Sequence, residues 1–176
     1  MQQLAYGCLL LVALLTADVT TNPPAEATIE WLSWGEALQR QQTAPKKIFI
    51  DIYTDWCGWC KRMDATTFVD ADVVKAMNAN FYAVKLDAEM RELIQYDNHT
   101  FKYQAQGRRG FHELAYALLD GRMSYPSFVY LDENRQRISI SPGYKDAAGM
   151  EVELRYVGED HFATQSFEDF KAQGEE

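Results

Sequence analysis

The sequence predicts an α/β fold in which helices flank a central mixed β-sheet. Two short runs, residues 46–54 and 81–89, have the β-branched and aromatic composition of buried strands. The segment 127–141, SFVYLDENRQRISIS, has two apolar-rich halves around an Asp-Glu-Asn turn, which is typical of a β-hairpin. The order of helix, strand, helix, helix, strand, insertion, hairpin and helix therefore indicates an α/β sandwich.

The first predicted helix begins with a capping box. Ser33 is followed three residues later by Glu36, a pair that satisfies the free N–H groups of a helix start. The helix is expected over residues 34–42, and Pro45 ends it. The run 46–54, KKIFIDIYT, then predicts the first strand.

Two helices and a second strand follow. The segment 57–68, CGWCKRMDATTF, contains no helix breaker beyond its glycine and predicts a helix. Asp70 or Asp72 is expected to cap the next helix, residues 71–80. The second strand, FYAVKLDAE, occupies residues 81–89.

The pattern is less regular in residues 90–122. The segment 93–104, LIQYDNHTFKYQ, predicts a hairpin around Asp97 and Asn98. The segment 110–121, GFHELAYALLDG, predicts a helix that is closed by Gly121.

Two more helices are predicted after the 127–141 hairpin. Met150, Leu154 and Val157 have helical spacing, so we prefer a helix over residues 146–157. A period-2 alternation of apolar residues in the same segment also permits a strand. Ser166 is expected to cap a short terminal helix.

The composition favours a packed domain and disfavours one class of partner. The chain of 176 residues is 47% hydrophobic and 13% aromatic, which is typical of a globular core. Its formal net charge is −9, and it contains no dense Lys/Arg run. Nucleic acid is therefore not expected as a partner, because phosphate binding needs clustered positive charge.

The first 27 residues are predicted to be a signal peptide and a short linker. Residues 4–17, LAYGCLLLVALLTA, are short for a membrane span but suit the apolar part of a signal peptide. Residues 1–3 carry no Lys or Arg, which departs from the usual pattern. An uncleaved membrane anchor and a lipoprotein signal at Cys8 are the alternatives. We expect a periplasmic or secreted protein with one domain, residues 28–176.

Cys57 and Cys60 are predicted to be a redox pair. A structural disulfide across two intervening residues removes little chain entropy, which disfavours a purely stabilising role. A zinc site needs two more ligands, and the neutral candidates, His99, His112 and His161, show no second paired motif. A Cys-x-x-Cys pair between a strand and a helix is instead typical of thiol–disulfide chemistry. We therefore expect no metal and no cofactor beyond the Cys57–Cys60 disulfide itself.

The spacing of the pair assigns a role to each cysteine. Cys57 is expected at a helix N-terminus, where the macrodipole and free N–H groups favour the thiolate, so it is the predicted nucleophile. Cys60 lies one turn later on the same helix face and is the predicted resolving cysteine. Gly58 keeps the turn between them unobstructed.

The stretch DIYTDWCGWCKRM resembles the active-site segment of the thioredoxin superfamily, with Trp56 before the nucleophile as in that family. Residues 31–89 are similar to the exported thioredoxin-like proteins of bacteria, and the resemblance covers nearly all of residues 28–172. The resemblance implies a thioredoxin fold with an insertion, residues 90–122, before the cis-proline strand. Trp59 departs from thioredoxin, which has proline between the cysteines.

The resemblance also implies roles for residues outside the motif. Asp51 matches the buried strand aspartate that accepts the proton of the resolving cysteine, and Lys85 matches its lysine neighbour. An exposed Asp and a solvent-facing Lys are the alternatives, which the apolar flanks of both residues disfavour. Pro126 matches the cis-proline, beside which the backbone of Tyr125 would pair with substrate. Gly143 matches a glycine after the last strand.

Trp56 and Trp59 are expected to be partly exposed and to bind unfolded polypeptide as an apolar collar. The other large aromatic residues are expected in the core: Trp31, Trp34, Phe49, Phe68, Phe81 and Phe128. We assign no functional role to His99, His112 or His161.

Together these features predict a thiol–disulfide oxidoreductase that reduces disulfides in exported proteins. The expected partners are disulfide-containing protein substrates and, as electron donor, a membrane or exported thiol reductase. A disulfide oxidase or isomerase is the first alternative, because Gly-Trp between the cysteines does not determine the direction. A non-catalytic binding module that presents residues 90–122 to a partner is the second.

Overall fold

The computed structural model of the chain describes residues 27–174, so the predicted signal segment lies outside the described residues apart from Ala27. Within this range the helices and strands are as follows: β1 (Trp31–Leu32), α1 (Trp34–Thr43), β2 (Lys47–Tyr53), α2 (Gly58–Ala65), α3 (Ala71–Asn80), β3 (Phe81–Asp87), β4 (Ile94–Tyr96), β5 (His99–Phe101), β6 (Tyr103–Gln106), β7 (Arg109–His112), α4 (Glu113–Leu118), β8 (Ser127–Leu131), β9 (Arg137–Pro142), α5 (Ala147–Gly158) and α6 (Phe167–Gly174). Among the helices of this range, none is long and apolar enough to cross a lipid bilayer.

The central sheet has five strands in the order β1-β3-β2-β8-β9. Strands β1 and β2 run parallel to β3, whereas β8 is antiparallel to β2 and β9 is antiparallel to β8. The predicted mixed sheet is therefore confirmed, with the parallel pairs joined through helices and the antiparallel pair of β8 and β9 joined by the predicted hairpin.

The strand directions bring three chain segments to one edge of the sheet. In the β2–β3 register Tyr53 lies opposite Asp87, so both parallel strands end at this edge. In the β2–β8 register Ile52 lies opposite Ser127, so the antiparallel strand β8 begins there. The residues after β2, after β3 and before β8 consequently meet at the same place.

Both faces of the sheet are buried. Side chains alternate along β2, and a separate core covers each face. Phe49 faces a core formed with α3, α5 and the α2 residue Met63. Ile48, Ile50 and Ile52 face a second core formed with α1 and α4. This two-sided burial explains why β2 has an almost continuous apolar sequence rather than an alternating one.

Phe49 is the centre of an aromatic cluster in the first core. Its ring is fully buried, and the centroids of its neighbours lie 5.3–6.4 Å away. The rings in contact with it belong to Trp31, Phe68, Phe81, Phe128 and Tyr130. The expectation that the large aromatic residues form the core is confirmed, with Trp31 half-buried at its border.

Most predicted helix starts are confirmed. Ser33 and Glu36 form the capping box of α1, and the Asp70 carboxylate accepts from the backbone of α3. The segment 146–157, where a strand was the alternative, is the helix α5. The predicted helix 57–68 ends earlier, at Ala65, and a short 3-10 turn follows.

The insertion contains one hairpin that the sequence pattern indicates and one that it does not. Asp97 and Asn98 form the turn between β4 and β5, as predicted. The helix predicted over residues 110–121 is wrong in its first part, because Arg109–His112 is strand β7 and pairs with β6. Gly110 packs so closely on the Tyr103 ring that a Cβ would overlap it, so only glycine fits there.

We expect Phe49→Ala to lower the free energy of unfolding by about 3–5 kcal/mol, because it removes the centre of the aromatic cluster and leaves a cavity. Chemical denaturation of the oxidised protein measures this change. The control is Leu93→Ala at an exposed position, with an expected change within about 0.5 kcal/mol. Equal effects of the two substitutions would contradict the central role of Phe49.

Candidate active site

Cys57 and Cys60 form a disulfide at the start of α2. Their Cα atoms are 5.3 Å apart, and both residues are buried. The chain turns directly after β2, where the backbone N–H of Cys57 donates to the carbonyl of Thr54 at 3.0 Å. Cys57 is the N-cap of α2, and its Sγ accepts a hydrogen bond from the backbone N–H of Cys60 at 3.1 Å.

This position favours a reactive Cys57 once the disulfide is reduced. The N-terminus of α2 supplies unpaired N–H groups and the positive end of the helix dipole beside the Cys57 sulfur. Both features stabilise a thiolate relative to a thiol, whereas Cys60 lies within the first turn of the helix. The assignment of Cys57 as the nucleophile and Cys60 as the resolving cysteine stays a prediction, with which this geometry is compatible.

Asp51 lies in the middle of β2 and is buried. Its Oδ2 is 2.8 Å from Nζ of Lys85, and its Oδ1 has no hydrogen-bond partner within the described residues. Burial raises the pKa of Asp51 to about 6, and the nearby Lys85 opposes this shift without cancelling it. The carboxyl group can therefore exchange a proton close to neutral pH.

Lys85 lies between two carboxylates. The β2–β3 register places it opposite Asp51, and its Nζ also contacts Asp64 of α2. Burial opposes the charge of Lys85, but Asp51 and Asp64 outweigh it and raise the pKa of the ammonium group. Trp31 and Tyr53 place their rings about 5 Å from the same ammonium group.

Asp64 is a site residue that the sequence analysis missed. It lies one turn after Cys60 on α2, with its side chain about half exposed, and joins Lys85 to the helix that carries the cysteines. The helical spacing from Cys60 was a signal that could have identified it. Asp64 and Lys85 are 21 positions apart along the chain, so no local sequence pattern indicates their contact.

The peptide bond between Tyr125 and Pro126 is cis, as the resemblance implies. The carbonyl of Pro126 accepts from the backbone N–H of Gly143 at 2.8 Å, which joins the start of β8 to the end of β9. Gly143 has a φ of +95°, so glycine is needed there for its backbone conformation. A Cβ at this position would meet no described atom within 4 Å.

Trp56 is about half exposed and has contacts on three sides. Its Nε1 donates to Oε1 of Glu89 at 3.1 Å, and its ring meets that of Tyr125 edge-on at 5.8 Å. The guanidinium of Arg109 lies 4.2 Å from the centre of the ring. Burial raises the pKa of Tyr125 to about 12, and the negative charges of Glu89 and Asp87 add to this shift. Its hydroxyl therefore remains protonated.

Trp59 is also about half exposed and has a similar environment. Its ring lies 5.0 Å from that of Tyr144, and the guanidinium of Arg62 lies 5.6 Å from both rings. Gly58, between the tryptophan residues, would meet no described atom within 4 Å if it carried a Cβ. The bare backbone at Gly58 therefore leaves an open surface rather than relieving a clash.

The structure brings most predicted site residues into two groups. Asp51 and Lys85 form an ion pair beneath the sheet edge, and Trp56 contacts Tyr125 beside the cysteines. Four residues that contact the two exposed tryptophans were not among the predicted site residues: Arg62, Glu89, Arg109 and Tyr144. In residues 27–174, no three His, Cys, Asp or Glu side chains form a group that could hold a metal ion.

His112, to which no role was assigned, is a buried structural residue. Its Nδ1 accepts from the backbone N–H of Leu114, and its Nε2 therefore donates to the carbonyl of Glu92 at 3.0 Å. The backbone N–H of His112 also donates to the carbonyl of Ala88. These bonds attach the end of the second hairpin to the chain that leaves β3.

A family model described as "Thioredox_DsbH: Protein of unknown function, DUF255" matches residues 21–144. The chain is 42% identical over 63 residues to the Thiol:disulfide interchange protein DsbD of Colwellia psychrerythraea, a match that covers 36% of the chain and 10% of that protein. It is 25% identical over 127 residues to the Disulfide bond reductase DsbH of Chlamydia pneumoniae, which covers 70% of each protein.

Several relatives are much longer than this chain. The segment that matches the Uncharacterized protein B0495.5 of Caenorhabditis elegans, at 32% identity over 88 residues, covers 49% of the chain and only 12% of that protein. Among solved structures, "DsbH Oxidoreductase" superposes with a TM-score of 0.54 at 18% identity and covers 81% of this chain and 94% of its own. This likeness shows a thioredoxin fold, which confirms the predicted fold class.

We expect Asp51→Asn to stabilise the oxidised protein above about pH 6. Asp51 titrates near 3.8 when unfolded and near 6 when folded, so the folded state alone holds its proton between these values. The free energy of unfolding therefore falls as pH rises through this window, by about 3 kcal/mol in total. Asparagine removes this fall, and Lys85 retains Asp64 as its partner.

Chemical denaturation at pH 4 and pH 8 measures this effect. The variant is expected to equal the parent at pH 4 and to exceed it by about 3 kcal/mol at pH 8. The control is Asp97→Asn, which alters an exposed carboxylate in the turn between β4 and β5 and is expected to change the free energy of unfolding by the same small amount at both pH values. Parallel profiles for the parent and Asp51→Asn would exclude a buried carboxylate with a raised pKa.

Proposed function

The chain belongs to the Thioredox_DsbH family, and on that premise we propose that it reduces disulfide bonds in exported proteins. One observation carries the proposal: the Cys57–Cys60 disulfide lies at the N-terminus of α2, directly after the strand that holds the buried Asp51 carboxyl. This arrangement combines a stabilised thiolate with a group that titrates near neutral pH.

The proposed reaction transfers two electrons in two exchange steps. In the reduced protein the Cys57 thiolate attacks one sulfur of the substrate disulfide and releases the other sulfur as a thiolate. The Cys60 thiol then loses its proton and attacks Sγ of Cys57, which releases the second substrate thiolate and leaves the Cys57–Cys60 disulfide. The substrate gains both electrons, and the two released thiolates take up protons.

Asp51 is the proposed acceptor of the Cys60 proton. Its pKa of about 6 lies close enough to neutral pH for the carboxylate to accept a proton in the second step and release it afterwards. Lys85 holds the ionised form of Asp51 in place, and Asp64 keeps Lys85 paired when Asp51 is protonated. Asp51 and Lys85 therefore act on the cysteine chemistry through charge and proton transfer.

The proposed substrate is an extended polypeptide segment. The backbone of Tyr125, before the cis-proline Pro126, would pair with it as an added strand. The half-exposed rings of Trp56 and Trp59 supply apolar contact area on the two sides of Gly58, where the surface is open. Aromatic side chains suit this task because they bury a large area with few rotatable bonds.

The proposed direction and location rest on the relatives and on the N-terminal sequence. One relative is called a disulfide bond reductase and another a thiol:disulfide interchange protein, and neither name describes this chain directly. Residues 1–27 remain a predicted signal segment, which favours a periplasmic or secreted protein. The expected electron donor is a membrane or exported thiol reductase, which would return the pair to its dithiol form.

We expect the Cys57–Cys60 pair to have a reduction potential close to that of thioredoxin, about −270 mV, because a good electron donor needs a stable disulfide. The potential is measured by equilibrium with thiol buffers, with the fluorescence of the two exposed tryptophans as readout. A value at or above about −180 mV would contradict reductase activity and favour an oxidase or isomerase.

Cysteine variants test whether the substrate is a protein. We expect Cys60→Ser to accumulate mixed disulfides between Cys57 and exported proteins, because the second exchange step is blocked while the first is not. The matched control, Cys57→Ser, lacks the nucleophile and is expected to trap none. Mass spectrometry of the captured species measures both. No trapped protein with either variant would contradict a protein substrate.

A further inference from the structure

Each of the two exposed tryptophans next to the cysteines has an arginine guanidinium over its ring. The guanidinium of Arg109 lies 4.2 Å from the centre of the Trp56 ring, and that of Arg62 lies 5.6 Å from the ring of Trp59. Tyr125 completes the first aromatic–arginine cluster and Tyr144 completes the second. Both arginines are exposed, so each cluster places a guanidinium charge over an aromatic surface beside the cysteines.

The position of each guanidinium over an aromatic ring is compatible with carboxylate binding. A guanidinium that lies against a ring keeps the N–H groups at its rim available to donate. Across residues 27–174, neither Arg62 nor Arg109 has an ion pair with a carboxylate within 4 Å. Glu89 contacts Trp56 at its Nε1 edge, whereas Arg109 lies over the face of the ring. A planar guanidinium with free N–H groups matches a carboxylate through two parallel hydrogen bonds.

The topology explains why the insertion supplies one of these arginines. The insertion leaves β3 and returns to β8 at the same sheet edge, beside the cysteine loop. The backbone bond from His112 to Ala88 holds the second hairpin at that edge. Arg109 is the first residue of β7 in this hairpin, so the hairpin brings a positive charge to Trp56.

We propose that the two aromatic–arginine clusters dock an extended polypeptide segment whose disulfide cysteine has acidic side chains on both sides. The inference rests on the proposed function and adds the class of substrate. The net charge of −9 repels acidic polypeptides in general. The two guanidinium groups oppose this repulsion with a local attraction beside the cysteines. The rings would bury the apolar part of the segment while each carboxylate meets an arginine.

Peptide disulfides of matched length test the proposal. One peptide carries glutamate on both sides of its cysteine, a second carries glutamine and a third carries lysine at the same places. The second-order rate of reduction by the dithiol form of the protein is measured at low salt for each. We expect the glutamate peptide to react about tenfold faster than the glutamine peptide, and the lysine peptide to react slowest.

Arginine variants assign the preference to the clusters. In the double variant Arg62→Gln and Arg109→Gln, the glutamate-to-glutamine rate ratio is expected to fall to about one, because both carboxylate partners are lost. The control is the double variant Lys61→Gln and Arg108→Gln, which removes two neighbouring exposed cations and is expected to keep the ratio. The ratio cancels any general change in cysteine reactivity, so partial misfolding does not imitate the result.

The outcomes separate this inference from the function on which it rests. If the three peptides are reduced at equal rates, or if the control variant loses the ratio as well, the docking proposal is wrong and the reductase proposal stands. If the lysine peptide reacts fastest, the surface has the opposite preference and the proposal is overturned. If none of the peptides and no small aromatic disulfide is reduced, the proposed function itself fails.

Discussion

The pairing of β2 with β3 on one side and with β8 on the other determines which residues meet at the site. Parallel strands end at the same edge, and an antiparallel neighbour begins there. The cysteine loop after Tyr53 and the cis-proline before Ser127 are therefore neighbours, although they are distant along the chain. The same register places Lys85 beside Asp51, so the sheet positions both the disulfide and the ion pair between Asp51 and Lys85.

The buried Asp51 carboxyl illustrates a conflict between stability and chemistry. Removing a carboxylate from water is unfavourable, and a single ion pair with Lys85 leaves one of its oxygen atoms without a partner in the described part of the chain. An apolar side chain in the same place would pack without this cost. The proposed role of Asp51 as a proton acceptor near pH 6 depends on this burial, so the proposal offers a functional reason for a position that is unfavourable for stability.

The insertion becomes part of the site because both of its ends lie at the same sheet edge. Its apolar residues, including Ile94 and Leu114, cover the second core, so the segment is packed against the domain. Its second hairpin reaches the exposed Trp56 through Arg109. A connection that is longer than the one in thioredoxin thus extends the surface around the cysteines without altering the sheet that supports them.

The sequence by itself determined the features that local patterns encode. Alternation and composition identified β2, β3 and the 127–141 hairpin, and the Cys57–Cys60 spacing after a strand identified the redox pair. The burial of Asp51 and the cis peptide bond at Pro126 were expected from resemblance to a family, because no local pattern marks a buried carboxyl or a cis peptide bond. The strand β7 was missed because Phe111 and Leu114 are three residues apart, a spacing that imitates a helix.

Only the tertiary structure decided which groups Asp64, Arg62 and Arg109 contact. Asp64 of helix α2 contacts a lysine on strand β3, and Arg109 contacts a tryptophan more than fifty positions earlier. Such contacts leave no periodic trace in the sequence, since they depend on where loops return to the sheet rather than on the residues beside them. Local sequence therefore determines which elements form, and the arrangement of those elements in space decides which charges and rings meet at the cysteines.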